Sequence, residues 1–408
     1  ISLDGRRLSA LKVFCEASPH FAAMIAANPK LVSALPLEGE NIEPKNYAAI
    51  LQETVTGRAS FRDELAALRI EWTKLFLEIA AFDVFGKIDL PESKRLQTEL
   101  AEAALEAALL ITRQEMARRF TNYELRITNH ELPFAVLGLG KLGGRGMDYG
   151  SDLDLILVYD ESAERRIFYT KATEIFVNAI SSFTREGHLY RVDLRLRPDG
   201  KNGAVCSPKN AFLSYMENRS AIWEWLAYVK LRAVGGDFEL GTAVETEARR
   251  IIHDNAGKVS AEELKTETRR VRQHLEQLKT QKSRDVNIKF SAGGLLDVYF
   301  AMRFLQLRDR ISDDAENRST LFMLEKLRDR GSLAAADFQA FYDGYEFLTR
   351  LDHNLRLTVG RTNILPLANP AAMQTICARM NSAAVQNLLE RLTVHRLAVR
   401  QAFENITR

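Results

Sequence analysis

The sequence predicts an α+β protein in which a small mixed sheet with helices lies between two helical regions, and three observations carry that expectation. Apolar residues recur at helical spacing over residues 1–125 and again over 246–408. Between them, over 126–245, the period of the apolar runs drops to two. Glycine and proline concentrate in that middle part and are sparse elsewhere.

Each element follows from its own residues. Phe61–Phe82 is apolar at helical spacing, Gly86 and Pro91 punctuate, and Glu92–Phe120 resumes the period through Leu96, Leu100, Ala104, Ala107 and Ile111. Three strands are expected in the middle: Phe134–Leu139, Asp152–Tyr159 and Leu189–Arg197. The third alternates most cleanly, with Tyr190, Val192, Leu194 and Leu196 on one face and Arg191, Asp193, Arg195 and Arg197 on the other. Ala172–Arg185 is a helix between strands. Ser260 and Glu263 form a capping-box signature, and Leu264, Val271, Leu275 and Leu278 line one face of the helix that follows. Its Arg269, Arg270, Arg272, Lys279 and Lys282 read as a solvated face.

The 408 residues carry 56 Lys+Arg against 54 Asp+Glu, a formal balance of +2. That removes the basic excess expected of a nucleic-acid or membrane-surface binder, so any anion must be handled locally. The composition, 46% hydrophobic and 27% charged, is that of a folded protein, with a length suited to two or three domains. Three distant cysteines, Cys15, Cys206 and Cys377, argue against a disulfide framework or a Cys-based zinc site and point to the cytosol. No apolar run approaches the roughly 18 residues of a membrane span. The opening ISLDGRRLSA does not make a signal peptide, and a start at Ile1 reads as part of something longer.

Gly138-Leu-Gly140-Lys-Leu-Gly143 matches the dinucleotide fingerprint G-x-G-x-x-G, with Asp160 about 20 residues on. The next strand begins at Asp152, too soon for a crossover helix, which needs roughly 10–12 residues. Leu142 after Gly140-Lys141 also rules out a Walker A loop. What remains is a glycine loop feeding Ser151-Asp152-Leu153-Asp154.

At strand period, Asp152 and Asp154 share a face with Cα atoms roughly 6–7 Å apart, a spacing that suits a divalent cation. A solvent-facing edge strand or a turn would also explain them. Asp193, flanked by Arg191 and Arg195, adds a third carboxylate beside phosphate-sized cations. The set is what metal-assisted phosphoryl or nucleotidyl transfer requires, and oxygen ligands suit Mg²⁺ better than zinc. The competing reading is a surface ion-pair row.

The ordered segments GLGKLGGRGMDYGSDLDL (138–155), YRVDLRLRPDGKNG (190–203), WEWLAYVKLRAVGGD (223–237) and IKFSAGGLLDVYF (288–300) resemble the glutamine synthetase adenylyltransferase family of the DNA polymerase β-like nucleotidyltransferase superfamily. IAAFDVFG (79–86) and LDHNLRLTVGRTNILP (351–366) resemble its flanking helical segments. The resemblance implies a polymerase β-like core and transfer of AMP from ATP to a tyrosine hydroxyl of glutamine synthetase, or its phosphorolytic removal as ADP. The charge balance and the lack of a basic stripe with interleaved aromatics argue against a nucleic-acid or membrane partner, and a nitrogen-signalling regulatory protein is raised as a further partner.

On that reading Asp152, Asp154 and Asp193 hold Mg²⁺ and do the catalysis. Gly143, Gly144 and Ser151 bind phosphate oxygens, and Arg195, Arg197 and Lys230 offset phosphate charge. The sequence departs from the family at Gly146, Tyr299 and Arg303, where Glu, Glu and Gln are usual. A third reading is therefore a nucleotide-binding regulatory module without catalysis.

Overall fold

The computed structural model describes residues 4–37, 39–119, 134–160, 166–280 and 286–408. The expected region boundary at 125/126, Phe120 and Lys282 lie outside the described residues. The chain is α+β, as expected. Its N-terminal helices are α1 (Gly5–Ala17), α2 (Pro19–Ala27), α3 (Tyr47–Val55), α4 (Phe61–Val84) and α5 (Leu90–Arg119). The middle runs β1 (Phe134–Gly138), α6 (Gly140–Gly143), β2 (Leu153–Tyr159), α7 (Arg166–Ser181), β3 (Val192–Asp193), β4 (Ser207–Pro208), α8 (Lys209–Asn218), α9 (Ile222–Tyr228), β5 (Arg232–Gly236) and α10 (Phe238–Ala256). There follow α11 (Ala261–Thr280), α12 (Leu295–Arg308), α13 (Thr320–Asp329), α14 (Ala335–Val359), α15 (Pro370–Arg379) and α16 (Val385–Thr407).

Two compact units divide the chain: residues 1–14, 25–220 and 230–248 form one, and 15–24, 221–229 and 249–408 the other. In the first, the sheet order is β3-β2-β1-β5, with β4 also paired to β2. β1 runs antiparallel to both β2 and β5, while β3 and β4 run parallel to β2. All of β1 and the end of β2 are buried on both faces, which is why they read as unbroken apolar runs. Arg69 of α4 is fully buried and donates to the carbonyls of Leu65, Ala179, Ser182 and Gly187, tying α4 to the end of α7 and the turn beyond it.

The expected strand over Leu189–Arg197 shortens to Val192–Asp193. The cause is Asp193 itself: its Oδ1 accepts the Arg195 N–H at 2.9 Å, and Arg197 N–H then donates to the Leu194 carbonyl. A side chain that captures a backbone N–H two residues on turns the chain out of the ladder.

In the second unit, Ser260 caps α11 by accepting the Glu263 N–H at 3.1 Å. The buried stripe of α11 is Leu264, Thr268 and Arg272, whereas Leu278 is 61% exposed. Arg272 is thus no part of a solvated face. Its Nε donates to Asp297 Oδ1 at 2.5 Å, and both side chains are fully buried. Asp297 Oδ2 also accepts the Gly293 N–H at 2.7 Å. Gly293 has φ +73° and lies against the Arg396 backbone, so the spacing Gly293-Gly294-x-x-Asp297 describes a pinned turn ahead of α12. The two family departures on α12 meet each other: the Arg303 guanidinium lies 5.6 Å above the Tyr299 ring, which packs edge-on to Tyr345. Trp225 is buried and Trp223 is partly exposed.

Removing Asp297 would leave the buried Arg272 cation with only the half-buried Glu276, 3.3 Å away, as a carboxylate partner. Asp297→Ala is expected to lower the stability of the second unit by ~3–5 kcal/mol, read by urea denaturation; a loss below ~1 kcal/mol would show that the pair does not hold the turn.

Candidate active site

The site grows from the segment between β1 and β2. Because these strands are antiparallel, the glycine fingerprint opens no parallel crossover, and the dinucleotide reading fails on topology. The chain turns instead through the single turn of α6, which fits where a crossover helix would not.

Gly140 takes φ +57°, and any Cβ there would fall inside the contact shell of Asp154 Oδ2. Only glycine admits both the left-handed backbone and that carboxylate. Gly143 is needed for a different reason: a Cβ would run into the Lys230 carbonyl oxygen and lie 2.7 Å from the Gly138 carbonyl. The N–H groups of Gly143 and Gly144, expected to meet phosphate, make bonds within the turn in this structure. Gly143 N–H donates to Leu139 O at 3.0 Å and Gly144 N–H to Gly140 O at 3.1 Å, so both are engaged within the turn. Gly146, the departure from the family acid, donates to Lys141 O at 2.8 Å, and a Cβ there would make only ordinary contacts, 3.9 Å from the Gly144 and Lys141 carbonyl oxygens.

Ser151 is buried, and its Oγ accepts the Asp148 N–H at 3.1 Å while its own N–H returns to Asp148 O at 3.0 Å. This closed turn delivers Asp152 to the head of β2. Asp152 and Asp154 are half-buried while Leu153 and Leu155 are fully buried, so the two carboxylates share one face, as the spacing predicts. The parallel register sets Asp154 beside Asp193.

In this structure the Asp193 carboxylate is engaged by Arg195. The Arg195 guanidinium clasps its carboxylate, with Nε 2.9 and 3.0 Å from the two oxygens. Partial burial pushes the Asp193 carboxyl up, but the Arg195 side-chain and backbone bonds outweigh it and hold it below the usual carboxylate range. Among the described residues no group of three or more His, Cys, Asp or Glu side chains is gathered for a metal ion. The ion-pair reading of Asp193 is therefore the one this conformation shows. Even so, the residues fit Mg²⁺, which is commonly held by one or two carboxylates together with substrate phosphates and water. Asp152 and Asp154 supply such a pair, and Asp193 adjoins it in register.

Of the remaining expected phosphate ligands, Arg195 is exposed and Arg197 is a clasp. Arg197 donates to the carbonyls of Leu194, Lys201 and Gly203, which shapes the 194–203 loop. Lys230 is buried, with its carbonyl backing Gly143. Arg195 and the two aspartates thus meet at one site, whereas Arg197 and Lys230 hold its frame.

Sequence reasoning missed the residues behind this segment. The Tyr149 hydroxyl donates to Asp83 Oδ2 at 2.9 Å, and Ser93 Oγ donates to the same oxygen at 2.9 Å. Met147 N–H donates to Thr98 Oγ1 at 3.2 Å. Arg232 is buried, pairs with Glu102, and donates to the Leu142 carbonyl at 2.8 Å. The signal was available: Asp83 is a lone carboxylate in the apolar run IAAFDVF, and Thr98, Glu102 and Glu106 recur every four residues among alanines and leucines.

The three glycines should separate on substitution. Gly143→Ala is expected to cost ~1–3 kcal/mol or more of stability by overpacking. Gly146→Ala should stay within ~0.5 kcal/mol. Gly140→Ala, which adds ~1–2 kcal/mol of left-handed strain, also displaces Asp154. Urea melts of the three variants give the ranking; equal effects at Gly143 and Gly146 would contradict the close approach.

Comparison with known proteins gives the family. The family model described as glutamate-ammonia ligase adenylyltransferase matches residues 8–247, and one described as GlnD PII-uridylyltransferase matches residues 261–407. Among curated relatives, the bifunctional glutamine synthetase adenylyltransferase/adenylyl-removing enzyme of Mesorhizobium japonicum is 31% identical over 76% of this chain and 32% of its own length. The protein of the same name from Aromatoleum aromaticum is 28% identical over 100% of this chain and 44% of its own length. The chain thus spans less than half the length of these relatives. With 8–247 covered by the first model, the chain belongs to the glutamate-ammonia ligase adenylyltransferase family.

Proposed function

We propose that this chain is a cytoplasmic nucleotidyltransferase that attaches AMP from ATP to a tyrosine hydroxyl of glutamine synthetase, with residues 126–245 as the catalytic core. The observation that carries the reading is the pair Asp152 and Asp154 on one face at the head of β2, with Asp193 in register beside Asp154. Membership of the family supports it, as do the names of the relatives. No helix among the described residues is long and apolar enough to cross a membrane.

In this account Asp152 and Asp154 would hold Mg²⁺, and Asp193, once free of Arg195, would be available to it as a further ligand. When bound, the ion offsets triphosphate charge and favours the ionised nucleophile. The tyrosine oxygen attacks the α-phosphorus of ATP, the α–β anhydride bond breaks, pyrophosphate leaves, and the hydroxyl proton passes to the aspartate cluster. We assign Arg195 to the phosphate charge, with Ser151, Gly143 and Gly144 shaping the turn that aims Asp152 and Asp154 at it. The second unit, which holds the GlnD-type match, recognises the protein substrate and a nitrogen-signalling regulatory protein. Removal of AMP by inorganic phosphate, forming ADP, would use the same carboxylates, and the relatives' names also carry an adenylyl-removing activity.

Incubation with glutamine synthetase, ATP and Mg²⁺, followed by mass spectrometry, is expected to show one added AMP per modified tyrosine. Asp152→Asn and Asp154→Asn are each expected to lower the rate at least ~100-fold with an unchanged melt. A parallel reaction of adenylylated glutamine synthetase with phosphate reads the opposite direction through ADP. Mg²⁺–ATP binding without transfer in either direction would leave a nucleotide-binding regulatory module, and substantial turnover in either variant would contradict the assignment.

A further inference from the structure

One helix, α5, reaches the segment between the glycine turn and the aspartates at three separate points, and none of them is part of the chemistry proposed above. Near the turn, Glu102 pairs with the buried Arg232 guanidinium, which donates to the Leu142 and Gly143 carbonyls at 2.8 and 3.4 Å. In the middle, Thr98 Oγ1 accepts the Met147 N–H. At the far end, Ser93 and Tyr149 converge on Asp83 Oδ2, with Asp83 carried by α4. A further turn along the same stripe, Glu106 accepts the Gly236 N–H of β5 at 3.1 Å.

Asp83, Ser93, Thr98, Tyr149 and Arg232 are buried among largely apolar neighbours, and Glu102 and Glu106 are half-buried. Polar groups in such a place are costly unless satisfied, so a fully bonded set fixes one arrangement of the chain it holds. Tyr149 stands three residues before Asp152, and its ring is wedged edge-on against Phe76 at 5.6 Å. Burial pushes the Tyr149 hydroxyl well above its ordinary range, with the Asp83 charge adding to the effect, so it is a fixed hydrogen-bond donor near neutral pH. Gly150, at φ +63°, and the Ser151–Asp148 turn leave little slack between that anchor and the carboxylates.

We infer that Tyr149, held by Asp83 and Ser93, is a positioning residue that sets the metal affinity of Asp152 and Asp154 from behind, with Thr98 and the Glu102–Arg232 pair fixing the other end of the same segment. The inference rests on the proposed metal role of the two aspartates. Its consequence is that the N-terminal helices belong to the catalytic machinery and do not simply flank it.

Tyr149→Phe removes one oxygen and keeps the ring packing. It is expected to speed amide hydrogen exchange of residues 147–154 at least tenfold relative to β1, and to weaken Mn²⁺ binding in the presence of ATP about five- to tenfold by calorimetry or electron paramagnetic resonance. Asp83→Leu should reproduce both changes. Asp83→Asn, whose side-chain oxygen still accepts from Tyr149 and Ser93, should stay within twofold of wild type on both. Unchanged exchange in Tyr149→Phe, unchanged Mn²⁺ affinity despite faster exchange, or a loss in Asp83→Asn equal to that in Asp83→Leu would each overturn the inference. Neither readout depends on AMP transfer. A wild-type chain that binds Mn²⁺–ATP but transfers nothing would count against the proposed function, while the variants would still decide this inference.

Discussion

The architecture of the first unit depends on a close approach that only glycine permits. Gly140 and Gly143 let a single helical turn press against β2 on one side and the entry to β5 on the other, with the Asp154 carboxylate and the Lys230 carbonyl in the space that Cβ atoms would take. Without that approach α6 could not pack against both β2 and the entry to β5. The two aspartates at the head of β2 would then lose the common face that makes them a metal-binding pair. The glycines are structural in their contacts, and the Gly143 and Gly144 N–H groups are bonded within the turn they form.

Both units use the same physical device to hold a glycine turn ahead of a regular element. In the first, buried Arg232 bonds the carbonyls of α6 and is balanced by Glu102. In the second, buried Asp297 bonds the Gly293 N–H and is balanced by Arg272. A buried charge is tolerated when its partner and its remaining hydrogen bonds are supplied together, and the result is a turn with one well-defined conformation. Position along the sequence hides this: Arg272 lies in a run of basic residues that resembles a solvated face, yet it is fully buried.

Much of the fold was legible because periodicity is set by burial on one face. The helices at both ends, the first two strands and the shared face of Asp152 and Asp154 all follow from spacing. The third strand was overextended because alternation reports which side chains alternate, and not whether a side chain will capture a backbone N–H; Asp193 does so with Arg195 and ends the strand. Roles that depend on atoms far apart in the chain were not legible. Arg197 looks like a phosphate ligand until its three carbonyl partners are seen, and Tyr149 looks like filler in a loop until Asp83 is found beneath it.

The central claim is that Asp152 and Asp154 form the cation site of a nucleotidyltransferase and that Asp193 joins them by releasing Arg195. Anomalous diffraction from crystals grown with Mn²⁺ and a non-hydrolysable ATP analogue tests it directly. The account predicts a Mn²⁺ peak between Asp152 and Asp154, with triphosphate oxygens in its shell and the Asp193 carboxylate turned from Arg195 toward the metal. Nucleotide bound elsewhere, or Mn²⁺ bound with Asp152 and Asp154 outside its coordination shell, would contradict it.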